Sequence, residues 1–175
     1  MTALEVYDLT TKGGGTDFGR VIATCEALGP YCLIGGLAVN CYAEPLYTLD
    51  ADIVIIAEHL PELAVQLGNG AFVVEAHQHS INALSPNSDL RIQFTTDPRY
   101  QDFPLRATTR EVLGSLVEVA CLEDIVQGKL WAYTDPRRRL SKRKKDELDL
   151  IRLAEAYPWL KQRYPRDLVH QLGGV

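Results

Sequence analysis

No stretch of this chain approaches the roughly 18 consecutive apolar residues of a membrane-spanning helix, and no signal-peptide pattern opens it. The expectation is a cytoplasmic protein with no membrane partner. Its four cysteines (Cys25, Cys32, Cys41 and Cys121) lack any C-x-x-C spacing and sit in apolar contexts. They read as small buried hydrophobes in a reducing compartment, not as a disulfide framework or zinc ligands. Internal repeats and low-complexity tracts are also missing. Positive charge is in deficit: 18 Lys and Arg against 23 Asp and Glu leave a formal net charge of -5. The molecule as a whole is therefore no generic polyanion binder, and any nucleic-acid contact has to come from a local patch.

What is present suits one compact domain. A chain of 175 residues, 46% hydrophobic and 23% charged, can bury a sizeable core. The first 15 residues end in Thr-Lys-Gly-Gly-Gly and read as a flexible entry. Apolar residues at helical spacing predict a helix over 16–28, stopped by Gly29-Pro30, then a short buried strand over 31–34 and a helix over 37–42. A strand opens at Asp50, a helix covers 61–67, and strands follow over 71–76, 77–84 and 89–94. A helical or turn segment after 111 leads into a last strand over 116–120. Amphipathic helices are expected over 122–133 and 141–157, and a short one over 165–172 ends at Gly173-Gly174. The fold class is α/β (α+β), a mixed sheet flanked by helices. The whole chain, 1–175, reads as one domain, with a core over about 16–100 and a helical C-terminal segment over about 121–175.

The chemistry concentrates between Leu33 and Ala57. Asp50 and Asp52 are two apart, so on a strand they share one face, about 6.6 Å apart along the chain. The strand continues as Ile53-Val54-Ile55-Ile56, and a buried strand has little reason to begin with two like charges. A shared divalent metal would cancel their repulsion and hold phosphate oxygens. Gly35-Gly36, just before a helix, would let backbone N–H groups approach a phosphate with no Cβ in the way. Further along, the segment 137–145 holds seven basic residues in nine: Arg137, Arg138, Arg139, Lys142, Arg143, Lys144 and Lys145. It reads either as a solvated face or as a contact for polyphosphate or RNA. Asp146 and Asp149 follow, at helical spacing for pairing with Arg143 or Arg152. His77 and His79 share a strand face but have no third ligand nearby in sequence, so ordinary histidines are the simpler reading.

A Gly-Gly pair opening a helix, a Thr48-x-Asp50-x-Asp52 strand about a dozen residues on, and apolar flanks resemble the nucleotidyltransferase superfamily, closest to its minimal, AbiEii-like toxin branch. The resemblance covers roughly 31–158, and its strong part is the unit from Gly-Gly to Asp-x-Asp. It implies a Mg2+- or Mn2+-dependent transfer of a nucleoside monophosphate from a triphosphate such as ATP to a hydroxyl of RNA, tRNA or protein. By that likeness Gly35, Gly36, Thr48 and Lys129 bind nucleotide, and Asp50 and Asp52 are the catalytic, metal-holding pair. A toxin–antitoxin setting with a cognate antitoxin partner is implied as well. Two departures stand out. Leu46 replaces the usual arginine two before the threonine. The third carboxylate of the family falls at Gln93, between Ile92 and Phe94, where an amide carries no charge and takes no proton. Asp89, on the same strand face but about 13 Å along, and Glu75, on the preceding strand, are the other candidates for that position. The alternative reading is a catalytically degenerate nucleotide- or RNA-binding module.

Overall fold

The computed structural model describes residues 2–173. Met1, Gly174 and Val175 lie outside the described residues, and with them part of the expected entry segment and of the Gly173-Gly174 helix stop. The chain does not enter as a flexible tail. Ala3–Thr11 is a helix (α1) opened by a capping box, in which Thr2 Oγ1 accepts from Glu5 N–H at 3.2 Å and Glu5 Oε2 accepts from Thr2 N–H at 2.6 Å. Reciprocal capping satisfies two donors that a bare helix start leaves open. Gly13, with φ +94, turns the chain into a second helix, Gly14–Leu28 (α2), which buries Phe18, Val21, Ile22 and Cys25.

A strand at Tyr31–Ile34 (β1) runs straight into a short helix, Gly35–Val39 (α3). The Asp50–Ile55 strand (β2) follows, then the helix Leu60–Asn69 (α4), with Leu60, Leu63 and Leu67 inward. Three strands come next: Val73–Ala76 (β3), Ser80–Leu84 (β4) and Arg91–Thr95 (β5). His77 and His79 lie in the turn between β3 and β4, so the strand expected to begin at 77 starts only at Ser80. The segment after residue 107 also differs from expectation. It is a hairpin of Thr108–Val112 (β6) and Ser115–Val119 (β7), with no helical piece. Its two turn residues, Leu113 (φ 50) and Gly114 (φ 77), are both left-handed, as the tightest hairpin turns require. Helices Leu122–Thr134 (α5), Leu140–Ala156 (α6) and Arg166–Gln171 (α7) complete the chain.

The strands form one sheet in the order β3-β4-β5-β2-β1-β7-β6. Pairs β2/β5 and β1/β7 are parallel and the others antiparallel. Ala51, Ile53, Val54 and Ile55 of the central β2 are fully buried. Each large side chain of that set contributes about 1.5–3 kcal/mol by leaving water, so the strand is anchored from its middle. Asp50 and Asp52 therefore stand at its start, where the core ends. Helices α2 and α4 pack on one another, while α3, α5 and α6 form a second group over the end of β2 that carries the two aspartates. All four cysteines are free thiols, Cys25 and Cys32 buried, and burial pushes the Cys25 thiol up to about 12. Among the described residues no helix is long and apolar enough to cross a membrane.

Candidate active site

The site is built where β1 gives way to α3. Gly35 has φ +71, a conformation open to glycine at little cost. A Cβ at this position would also overlap the Asp52 carboxylate. The glycine is thus required twice, by backbone angle and by the aspartate pressed against the turn. A Cβ on Gly36 would only touch Thr48, at 3.5 Å. Thr48 in turn fixes the strand entry, its Oγ1 accepting from Asp50 N–H at 3.2 Å.

Asp50 and Asp52 share one face of β2 and both line a cavity of about 240 Å³ with Gly36, Thr48, Lys142 and Lys145. Asp50 Oδ2 lies 3.4 Å from Lys142 Nζ, and Oδ1 is 3.9 Å from Arg91. The Asp52 carboxylate makes no hydrogen bond or salt bridge among the described residues. Burial pushes its pKa up to about 6; Lys129 opposes the rise and the like charge of Asp50 adds to it. Asp52 and Arg138 also line a second cavity of about 370 Å³, so Asp52 stands between two chambers. The second chamber carries Gln93, Thr95 and His79 from the sheet side, and Tyr100, Phe103 and Trp131 as an aromatic wall. Tyr100 and Trp131 meet edge to face at 5.3 Å, and Arg99, paired with Asp97, lies 4.9 Å over the Trp131 ring.

Asp52 ionises against its surroundings, which has a consequence for stability. A carboxyl whose folded pKa is raised holds its proton more tightly than in the unfolded chain, so its contribution is present at low pH and is lost as pH rises. In chelator-treated protein, stability should fall between pH 3.8, the ordinary value, and about 6. Asp52→Asn should flatten that part of the melting-temperature profile and melt higher than wild type at pH 7. Superimposable profiles for the two proteins would show that Asp52 does not titrate in that window.

Register places Gln93 of β5 directly beside Asp52 of β2. The row continues outward through Asn82 to Glu75. Glu75 is three strands away from Asp52, ~14 Å at the usual strand spacing, and sits 3.7 Å from His77. Asp89 precedes β5, accepts from Lys12 and donates its N–H to Thr11. Neither is placed beside the aspartate pair. Among the described residues no group of three or more His, Cys, Asp or Glu is arranged to hold a metal.

Lys129, from α5, is held by carboxylates of α6: Asp146 at 3.1 Å and Asp149 at 2.6 Å. Burial works to lower its pKa, but the two aspartates outweigh it and hold the ammonium charged. Asp146 also takes Arg138 at 2.6 Å, and Asp149 takes Arg152 at 2.7 Å. Arg152 reaches on to Asn40 and the Glu44 carbonyl, while Asn40 clasps Leu46 N–H and C=O. This chain of contacts fixes the 40–46 turn against α6, and Arg152 and Asn40 are positioning residues that the sequence pattern alone did not single out as such. The basic segment is divided in the same way. Arg137 pairs with Asp135, Lys142 with Asp50 and Lys144 with Glu147, while Lys145 lines the smaller cavity. Arg139 precedes the first turn of α6, and Arg143 Nε is enclosed without a partner among the described residues.

Solved structures with a similar fold include an adenylyltransferase and a nucleotidyltransferase-like protein. An antigenic nucleotidyltransferase-like protein from Paracoccidioides brasiliensis superposes with a TM-score of 0.54 at 21% identity, over 91% of this chain and 92% of that one. The lincosamide antibiotic adenylyltransferase LnuA, bound to lincomycin, gives 0.54 at 12% identity, over 79% and 96%. The antibiotic-resistance factor ANT(2'')-Ia gives 0.52 at 16% identity, over 90% and 97%. No protein-family profile and no curated sequence matches the chain. At these identities the likeness is one of fold: the chain has a nucleotidyltransferase-like fold.

Proposed function

We propose that the protein is a divalent-metal-dependent nucleotidyltransferase, a single domain that binds a nucleoside triphosphate and transfers the nucleoside monophosphate to a hydroxyl group. The observation carrying this reading is the placement of Asp50 and Asp52 on one strand face, against a glycine turn and opposite a cationic wall. Mg2+ commonly takes one or two protein carboxylates and completes its shell with phosphates and water. The donor set fits that habit: two carboxylates, one of them with no partner of its own, and the amide of Gln93 alongside. Asp50 and Asp52 would hold Mg2+ or Mn2+, and the ion when bound would neutralise phosphate charge and make the phosphorus more electrophilic.

The remaining roles belong to the chain. Gly35 and Gly36 leave room for phosphate oxygens, and Thr48 sets the height of Asp50. Lys142, Lys145 and Arg138 supply positive charge, and Lys129 does so within its aspartate clasp. The acceptor oxygen bonds the α-phosphorus as the bond to pyrophosphate breaks. The hydroxyl proton passes to solvent, because the side chain at 93 has no basic atom. RNA, tRNA and protein hydroxyls are possible acceptors, and the lincomycin-bound neighbour supports a small-molecule hydroxyl equally.

Gln93 favours a second reading, a degenerate module that binds nucleotide or RNA without turnover, as one half of a toxin–antitoxin pair. Calorimetric titration with ATP, GTP, CTP and UTP, with and without Mg2+, tests both. Binding that requires Mg2+, accompanied by pyrophosphate release, is expected of the enzyme. Mg2+-dependent binding with no pyrophosphate release from any acceptor mixture would select the second reading. Absence of binding would dismiss both.

A further inference from the structure

Two chambers meet at Asp52, and they share Lys129, Arg138 and Asp146 but differ in the rest of their walls. The smaller one alone carries Thr48, Asp50, Lys142 and Lys145, and Lys145 makes no ion pair among the described residues. A triphosphate is a polyanion, so its place is against that cationic wall. In phosphoryl-type transfer the attacking and leaving oxygens stand roughly in line through phosphorus. With pyrophosphate leaving on the Lys142 side, the incoming hydroxyl reaches a phosphorus at Asp52 from the larger chamber.

The larger chamber, of about 370 Å³, lies at the low end of the ~300–1,000 Å³ typical of small-molecule sites. Apart from Asp52, the Asp, Lys and Arg side chains that line it are already matched. Asp97 holds Arg99 at 2.6 Å, Asp135 holds Arg137 at 3.6 Å, and Asp124 holds Arg106 at 2.9 Å. Asp146 holds Arg138 at 2.6 Å and Lys129 at 3.1 Å. Among the described residues no cation there is left for a phosphate backbone, and no carboxylate but Asp52 for an ammonium group. A charged acceptor would lose hydration without gaining a counter-charge. The rest of the wall suits an uncharged one. Tyr100 packs against Phe103 and Trp131 at 5.0 and 5.3 Å. Gln93 contributes an amide and Thr95 a hydroxyl, groups that both donate and accept hydrogen bonds.

We propose, resting on the nucleotidyltransferase reading, that the larger chamber is the acceptor subsite and admits a small, uncharged, ring-bearing compound with a free hydroxyl. Its ring packs on Tyr100 and Trp131, and its hydroxyl points toward Asp52. The hydroxyl oxygen bonds the α-phosphorus as the bond to pyrophosphate breaks, and the proton passes to solvent. RNA, tRNA and polycationic acceptors are thereby excluded.

The probes are glycosides that differ only at C6: phenyl β-D-glucopyranoside (uncharged), phenyl β-D-glucuronide (anionic) and phenyl 6-amino-6-deoxy-β-D-glucopyranoside (cationic). Trp131 and Trp159 are the two tryptophans of the chain, so Trp159→Phe leaves Trp131 alone to report on the chamber by fluorescence. Without nucleotide or metal, the glucoside should change that fluorescence saturably, and each charged analogue should bind at least tenfold more weakly. Ala132→Phe, which fills the chamber from the α5 wall, should weaken glucoside binding at least tenfold with an unchanged circular-dichroism spectrum. Thr95→Val should weaken it about fivefold, the effect of one net hydrogen bond. Saturating α,β-methylene ATP with Mg2+ should leave the glucoside bound, because triphosphate and acceptor occupy different cavities. Displacement by the nucleotide would seat its base against the aromatic wall and overturn the proposal. So would a glucoside that does not bind, charged analogues that bind equally well, or indifference to Ala132→Phe. With ATP itself the expected product is adenylylated glucoside; pyrophosphate release with another acceptor that leaves the glucoside unmodified also overturns the proposal. Selective glucoside binding by a protein that binds no nucleotide would dismiss the catalytic reading and keep the chamber's selectivity.

Discussion

Asp52→Asn should abolish Mg2+-dependent nucleotide binding and, with it, any pyrophosphate release. Losing an outer-shell partner typically costs ~10–100-fold in metal affinity, and loss of a ligand that meets the metal directly should exceed that. Asp50→Asn should do the same, but the two variants should part company when metal is absent. Asp52 has burial against it, which the nearby charges of Lys129, Lys142 and Arg138 only partly offset, so removing its charge should raise the melting temperature of chelated protein. Asp50 is 28% exposed and lies 3.4 Å from Lys142, which is 42% exposed. A partly exposed pair of this kind is worth ~0–1 kcal/mol, so Asp50→Asn should leave the metal-free melting temperature nearly unchanged. Circular-dichroism melts paired with calorimetric titration would read both effects. Wild-type affinity in both variants would remove the aspartate pair from the site. Loss of binding accompanied by unfolding would point to structure instead of ligation.

The unit from Gly35 to Ile55 was legible because its constraints are local. A glycine pair ends an apolar strand, strand parity puts two carboxylates on one face, and apolar residues follow. The neighbour relation of Gln93 and Asp52 was legible for a similar reason, since alternation along 90–94 fixes which side chains face the site. Helix α1 is masked in the sequence, although Thr2-x-x-Glu5 is a capping-box pattern, because the glycine run that follows it is the stronger local signal. The β6–β7 hairpin was hidden by its turn. Leucine at φ 50 is an unfavourable choice there, and Leu113 gave no turn signal. The least legible feature was the clasp on Lys129. Its partners lie 17 and 20 positions away on another helix, and pattern alone cannot show whether a helix lysine meets a phosphate, water or an aspartate. The same holds for the basic segment, where sequence shows the charges but only packing shows which are already paired.

Gln93→Asp should have the opposite effect on turnover. The side chain at 93 is exposed and lies beside Asp52 in register, at the edge of the chamber that Asp52 shares with the aromatic wall. A carboxylate there adds charge for the metal and a base for the acceptor proton. General-base help alone is typically worth ~10²–10⁴-fold, so pyrophosphate release should rise within that range if Gln93 limits the wild type. The same substitution should carry a stability signature. Two carboxylates sharing a site cannot both ionise freely, so the chelated variant should melt lower than wild type, and Mg2+ should raise its melting temperature by more. That paired readout separates a metal-site carboxylate from a merely tolerated surface change. Equal turnover and equal Mg2+ response in the two proteins would mean that position 93 does not belong to the site. Fast turnover by the wild type, unchanged by Gln93→Asp, would direct the search for a proton acceptor back to Asp50 and Asp52 themselves. Neither Asp89, committed to Lys12, nor Glu75, three strands out, is placed to take that proton.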